Sequence, residues 1–213
     1  MDLYFSPLAC SLATRISLYE SGADARFIEV DPKTKRIVDD GSDYLKVYPL
    51  GMVPAIRMDD GALLTENAAI LQYVADRFPD AKLAPPSGIE RTRLHQWLCF
   101  IGTELHKGLF VPLFDKKAPE GTAANTLANG ESRLAYLNDH LTGREFLLDS
   151  FSVADAYLYT VLNWSMATPV KFDRFPAIQI YYNRLQKRPS ITKAFGEELA
   201  LYKAELARHK AAA

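Results

Sequence analysis

Two cysteines in 213 residues, Cys10 and Cys99, are too few to staple a secreted scaffold, and no CxxC pair offers a zinc site or a dithiol redox couple. A reducing, cytoplasmic setting fits that usage. The four histidines, His95, His106, His140 and His209, show no ligand spacing, so no metal centre is expected. There is no run of about 20 apolar residues, so no membrane-spanning helix is expected. The N-terminus lacks a basic start and Arg15 interrupts its apolar stretch, so a secretory leader is not expected. Lys and Arg number 25 against 26 Asp and Glu, a net charge of −1, and a nucleic-acid partner is not expected. What remains is ordinary globular material: 48% hydrophobic and 24% charged, with 11 Phe, 11 Tyr and 2 Trp to fill a core. The length suits one large domain or two small ones.

Residues 1–80 mix strand and helix patterns. Asp2–Phe5 reads as a strand closed by Ser6-Pro7. From Cys10, apolar residues recur at Leu12, Ile16 and Tyr19 with helical spacing, and Gly22 stops the helix. Arg26–Val30 alternates as a strand. Residues 31–52 read as a long loop with one helical turn, then Pro54–Met58 forms a strand, Asp59-Asp60-Gly61 a hairpin turn and Ala62–Leu64 the returning strand. A second helix is expected from Thr65 to Phe78-Pro79. Residues 81–88, AKLAPPSG, have the composition of a linker.

Residues 89–213 read as all-helical. Leu94, Leu98, Ile101, Leu105 and Leu109 keep helical spacing, a second helix covers roughly 122–141, and Ser152-Val153-Ala154-Asp155 opens a third running through Met166. Two shorter helices flank Pro189, and the tail of Lys210 and three alanines is expected to fray.

Four features carry chemistry. Cys10 sits after a strand and turn, where a helix begins; the helix dipole and open backbone N–H groups there favour a thiolate, whereas an isolated cysteine is more often a small buried hydrophobe. Ala13 stands where a dithiol partner would be, so redox work would need an external thiol. Val53-Pro54 is a candidate cis bond whose backbone would face a peptide-like ligand. Thr65-Glu66-Asn67 at a helix start suits a carboxylate, with Glu66 facing an ammonium, against the plainer reading of an N-cap. His106, with Cys99, Gly102 and Phe110, lies on a face beside the Leu94–Leu109 stripe, and the Thr103–Lys107 run places cationic groups there; a structural histidine is the default reading of a lone His. Tyr157, Trp164 and Met166 read first as core and second as the lining of an apolar ligand site.

The combination of Tyr4-Phe5-Ser6-Pro7 with Cys10-Ser11, Tyr48-Pro49-Leu50-Gly51-Met52-Val53-Pro54-Ala55, Leu64-Thr65-Glu66-Asn67, Trp97-Leu98 through Thr103-Glu104-Leu105-His106-Lys107-Gly108, and Ser152–Tyr157 resembles bacterial glutathione S-transferases of the beta class over nearly the whole chain. The resemblance implies a thioredoxin-like N-terminal α/β domain, an all-α helical-bundle C-terminal domain and a homodimer. It implies glutathione as co-substrate, with no metal, and transfer of its thiolate to a small hydrophobic electrophile. Val53, with Pro54, would pair the cysteinyl backbone, Glu66 and Asn67 would hold the γ-glutamyl end, and Lys35 would face the glycyl carboxylate. Cys10, Ser11 and His106 would be the catalytic set beside the sulfur, with Cys99, Thr103, Glu104 and Lys107 adding to the glutathione site. Asp155 would cap a helix. Asn67 stands where the family usually has serine or glycine, and Cys99 where relatives often carry asparagine. A glutathione-dependent thiol–disulfide reductase or peroxidase using Cys10 is the alternative chemistry, and a non-catalytic ligand binder the alternative class.

Overall fold

The computed structural model describes residues 1–211. By its internal contacts the chain divides into two compact units, Met1–Leu83 together with the segment from Pro189 onward, and Ala84–Arg188.

In the first unit the strands β1 (Asp2–Phe5), β2 (Arg26–Glu29), β3 (Ala55–Arg57) and β4 (Leu63–Thr65) form one sheet in the order β2-β1-β3-β4. β1 pairs parallel with β2 across the helix α1 (Leu12–Ser21), and antiparallel with β3, which pairs antiparallel with β4. Alternation along β1 decides the two faces. Leu3 and Phe5 point to one, where Leu18 of α1 and Ile70 and Val74 of α2 (Asn67–Arg77) pack with Ile56. Tyr4 points to the other, with Val30, Tyr44 and Ala55. Each such buried side chain contributes about 1.5–3 kcal/mol relative to exposure. Gly22 ends α1 in a left-handed conformation, φ +65°, as its place in the sequence predicts.

Strand ends shift by a residue or so from the sequence reading, and two larger differences concern helices. Thr65 pairs with Ala55 as the last residue of β4, so α2 starts at Asn67 and not at Thr65. The helix that opens at Pro189, α8 (Pro189–Ala211), is 23 residues long rather than short. It packs against α1 and so belongs by contacts with the sheet, although it follows the helical unit in sequence. The reason is a buried ion cluster that local patterning does not reveal. Arg15 of α1 lies with its guanidinium 4.2 Å from the ring centres of both Phe5 and Phe27. It pairs with Glu197 and Glu198 of α8, each at 3.1 Å. The last two alanines, where fraying is expected, lie outside the described residues.

The second unit is helical. α3 (Gly88–Phe100) runs without a break into a π-helical stretch, Ile101–Phe110, and then a final turn, α4 (Val111–Phe114). α5 (Thr122–Leu141), α6 (Val153–Asn163) and α7 (Pro176–Leu185) complete it, and Trp164–Ala167 is a tightened 3₁₀ turn where the sequence reading continued α6 through Met166. Gly108 permits the wide turn: a Cβ there would stand 2.9 Å from the Thr103 carbonyl oxygen. The extra residue per turn draws His106 and Phe110 into the buried face beside Leu105 and Leu109.

Candidate functional site

In the first unit the site grows from the turn between β1 and α1. Ser6 Oγ donates to the Val30 carbonyl at 2.6 Å. Ser11 Oγ donates to the Ser6 carbonyl at 3.2 Å and accepts from the Ser6 N–H at 3.3 Å. Ser11 is fully buried, and its hydroxyl closes the turn. Leu8 sits in a left-handed conformation, φ +59°, and its N–H donates to Glu198 Oε2 at 2.7 Å. Burial pushes the Glu198 carboxyl up, and Arg15 and the Leu8 N–H oppose that rise by favouring its charge. Cys10 directly precedes the helix N-cap, Ser11, and its Sγ–H donates to the Val53 carbonyl at 3.2 Å.

That bond joins Cys10 to the loop before β3. Val53-Pro54 is cis. The buried Tyr44 donates its hydroxyl to the Met52 carbonyl at 2.8 Å and so fixes the approach to Val53. Gly51 has φ +60°, and a Cβ there would stand 2.9 Å from Leu45 Cδ2 and 3.2 Å from Lys35 Cδ. The half-buried Lys35 therefore lies along this loop. Its own segment is tied down by Asp31, which accepts from the backbone N–H of Lys33 and Thr34 at 2.9 Å each and from His209 at 2.7 Å. Burial works against the Asp31 charge, but these donors outweigh it and bring its carboxyl down to about 2.

The third side of the site is the start of α2. Glu66 is exposed and adopts φ +66°, a conformation that costs a non-glycine residue about 1–3 kcal/mol. The Glu66 side chain makes no capping hydrogen bond to the helix. Asn67 is buried, its Oδ1 accepts from Thr14 Oγ1 at 3.1 Å, and its Nδ2 has no hydrogen-bond partner among the described residues. A buried donor left unsatisfied costs about 1–3 kcal/mol. A helix N-terminus without a side-chain cap, with an unspent amide beside it, is a place for an anion. Thr14, four residues beyond Cys10 on α1, Tyr44 and Glu198 were missed from the sequence. Only Thr14 carried a signal, its helical spacing from Cys10.

In the second unit, Cys99, Thr103 and Lys107 are exposed. Thr103 Oγ1 has a single hydrogen to share between the Cys99 carbonyl at 3.0 Å and Glu104 Oε1 at 3.2 Å, while Glu104 Oε2 accepts from Arg133 at 3.1 Å. His106 is buried, its Nδ1 2.7 Å from the Tyr157 hydroxyl and its ring edge-on to Trp164 at 4.8 Å. Burial, and then the nearby Lys107, bring its pKa down to about 4. His106 is thus neutral at pH 7 and adds no positive charge, which corrects the expectation that the Thr103–Lys107 run supplies more than one cation. Asp155 is fully buried and accepts from Leu147 N, Ser152 N and Ser152 Oγ at 2.9 Å and from the Tyr181 hydroxyl at 2.8 Å, a helix-capping and not a catalytic role.

A thioredoxin-like sheet with a cysteine turn and a cis-proline loop, joined to an all-helical unit, defines a glutathione-transferase fold. Residues 3–84 match the family described as glutathione S-transferase, N-terminal domain, and residues 95–189 the glutathione S-transferase C-terminal domain. The chain is 42% identical over 200 residues, 93% of its length and 98% of the relative's, to glutathione S-transferase GstA of Escherichia coli O157:H7. It superposes with a TM-score of 0.89 at 40% identity on BphK, a bacterial GST solved as a ternary complex, covering 93% of this chain and 99% of that one. A beta-class glutathione S-transferase of Sphingomonas chungbukensis gives 0.88 at 40% identity, covering 93% and 98%. The chain belongs to the glutathione S-transferase family, in its bacterial beta class, and is a glutathione transferase.

Proposed function

We propose that this transferase binds glutathione against the first unit and conjugates its thiolate to small hydrophobic electrophiles. Residues 1–80 are read as the glutathione-binding domain, 81–88 as the linker and 89–213 as the helical domain. A free thiol of pKa about 8.5 is only a few per cent ionised at pH 7. Each 1.4 kcal/mol or so by which donors favour the anion lowers that pKa by about one unit. The thiol proton leaves to solvent, the sulfur forms a bond to an electrophilic carbon, and that carbon's leaving group departs with the electron pair. In this reading the Val53 backbone, next to Pro54, pairs the cysteinyl residue, and Lys35 faces the glycyl carboxylate. Glu66 meets the γ-glutamyl ammonium, and the α2 N-terminus with Asn67 Nδ2 takes its carboxylate. Cys10 lies beside the sulfur, and catalytic roles for Ser11 and His106 belong to the same proposal. So does a glutathione-binding role for Lys107, Cys99, Thr103 and Glu104.

The observation that carries the reading is the unspent, buried Nδ2 of Asn67 at a helix start without a side-chain cap. Solved relatives support it, one of them a sphingomonad glutathione S-transferase complexed with glutathione. Asn67→Ala is expected to raise the glutathione Kd about 10- to 100-fold by calorimetry, with Asn67→Ser closer to the parent. A Kd unmoved by Asn67→Ala overturns the assignment of that subsite. A homodimer, a cytoplasmic location and a detoxifying role belong to the same proposal, supported by the class and by a cysteine count of two.

A further inference from the structure

The turn after β2 holds Lys35 in a left-handed conformation, φ +57°, which a residue with a side chain keeps only where its surroundings impose it. Backbone bonds impose part of it. Lys35 N donates to the Asp31 carbonyl at 3.0 Å, Asp31 N to the Arg36 carbonyl at 2.9 Å, and Tyr44 N to the Lys35 carbonyl at 3.0 Å. The Asp31 side chain supplies the rest. Its Oδ1 takes the N–H groups of Lys33 and Thr34, and its Oδ2 lies 2.7 Å from Nε2 of His209 on α8, 178 residues away in the chain. All of these groups belong to the first unit.

A carboxylate only accepts, so Nε2 carries the hydrogen of that bond. Asp31 is buried and His209 half-buried, which shields the pair from water. The neighbours of His209 on α8 hold the same place: Arg208 pairs with Glu29, the last residue of β2, and Glu205 Oε1 lies 3.9 Å from His209 Nδ1. The Lys35 side chain runs past Gly51, where a Cβ would stand 3.4 Å from its Cε, so the loop before Val53 leaves room for it. We propose that His209 is a positioning residue for glutathione binding: it fixes the Asp31 carboxylate, which fixes the turn that aims Lys35 at the glycyl carboxylate. The proposal rests on the reading above that Lys35 meets that carboxylate, and it adds the distant residue that sets the lysine's direction. Without the imidazole, the carboxylate is free to turn away from the Lys33 and Thr34 amides, and left-handed Lys35 loses its side-chain support.

The test compares the parent, His209→Ala, Lys35→Ala and the double variant. Amide hydrogen exchange reads the turn without any ligand. His209→Ala is expected to speed exchange about tenfold at Lys33, Thr34 and Lys35, and to leave Val30, whose N–H donates to the Phe5 carbonyl, unchanged. By calorimetry, His209→Ala should raise the glutathione Kd about 3- to 10-fold. Glutathione esterified at its glycyl carboxylate should bind His209→Ala and the parent within about twofold of each other. With an aryl halide as electrophile, KM for glutathione should rise while kcat stays within about twofold. The double variant should bind glutathione no more weakly than Lys35→Ala alone, because the imidazole acts only through the lysine's turn. If Lys35→Ala leaves the glutathione Kd unchanged, the placement of Lys35 fails and the proposal with it. If Lys35→Ala weakens glutathione, three results each show that His209 is no positioning residue: unchanged exchange at the three amides in His209→Ala, equal weakening of ester and tripeptide, or effects of the two substitutions that add. The proposal then falls while the placement of Lys35 stands.

Discussion

A single buried imidazole shows how burial changes what a residue can do. The histidine of the Glu-Leu-His-Lys run looks cationic beside a lysine, yet the protein interior removes the charge, and the lysine's own charge pushes the same way. The same change has a thermodynamic sign. Between the ordinary histidine value of 6.5 and about 4, the unfolded chain binds a proton that folded His106 refuses. The unfolded state then holds more protons, so stability rises with pH across that window and is lost as pH falls through it. The full effect is about 3 kcal/mol. Urea unfolding of the parent from pH 4 to 7 should show that slope, and His106→Gln should flatten it by a comparable amount. An identical slope in both proteins contradicts a neutral, buried His106. Asn67 teaches the opposite lesson: here it is the amide nitrogen left without a partner among the described residues, not a perturbed charge, that marks the site.

At the scale of elements, helix ends and helix irregularities do the positioning. α6 begins where Asp155 gathers four donors, two from Ser152 and one each from Leu147 and Tyr181. Burial raises the carboxyl's pKa, and those donors oppose the rise. Asp155→Ala strands four buried donors at once, and a loss of about 3–5 kcal/mol is expected in chemical denaturation. Glutathione affinity, measured under conditions where the variant is folded, should stay close to the parent. A loss below about 1 kcal/mol shows that the cap is dispensable. The Ser152–Asp155 spacing made this cap legible in the sequence, because a capping pair is local. The π-helical stretch was not legible. Ile101, Leu105 and Leu109 recur every four residues and suit either kind of helix, and the extra residue per turn shows only in the close approach of Gly108 to the Thr103 carbonyl. That same widening moved His106 from the flank of the stripe into its buried face.

For the whole molecule, the proposed dimer makes the simplest prediction. On the second unit, exposed Tyr136 rests on the buried Trp97 at 5.9 Å and on the half-buried Phe100 at 5.3 Å. Light scattering should give a mass near twice 23.9 kDa, and a monomer at every concentration tested removes the dimer from the reading.

The amino-acid order alone determined the strand and helix sequence of the first 80 residues, the helical character of the rest and the residue types of the proposed glutathione site. Alternation, helical spacing, turn chemistry and motif order are all carried by near neighbours along the chain. Only tertiary structure decided that α8 returns to α1 through Arg15, Glu197 and Glu198 and anchors the Leu8 turn, that Ser11 looks inward to Ser6, that Asn67 keeps an unspent donor, and that His106 is neutral against Tyr157. Each of these depends on which distant group supplies a hydrogen-bond partner or excludes water. The Leu8 and Glu198 pair is 190 residues apart, a separation that no local pattern can encode.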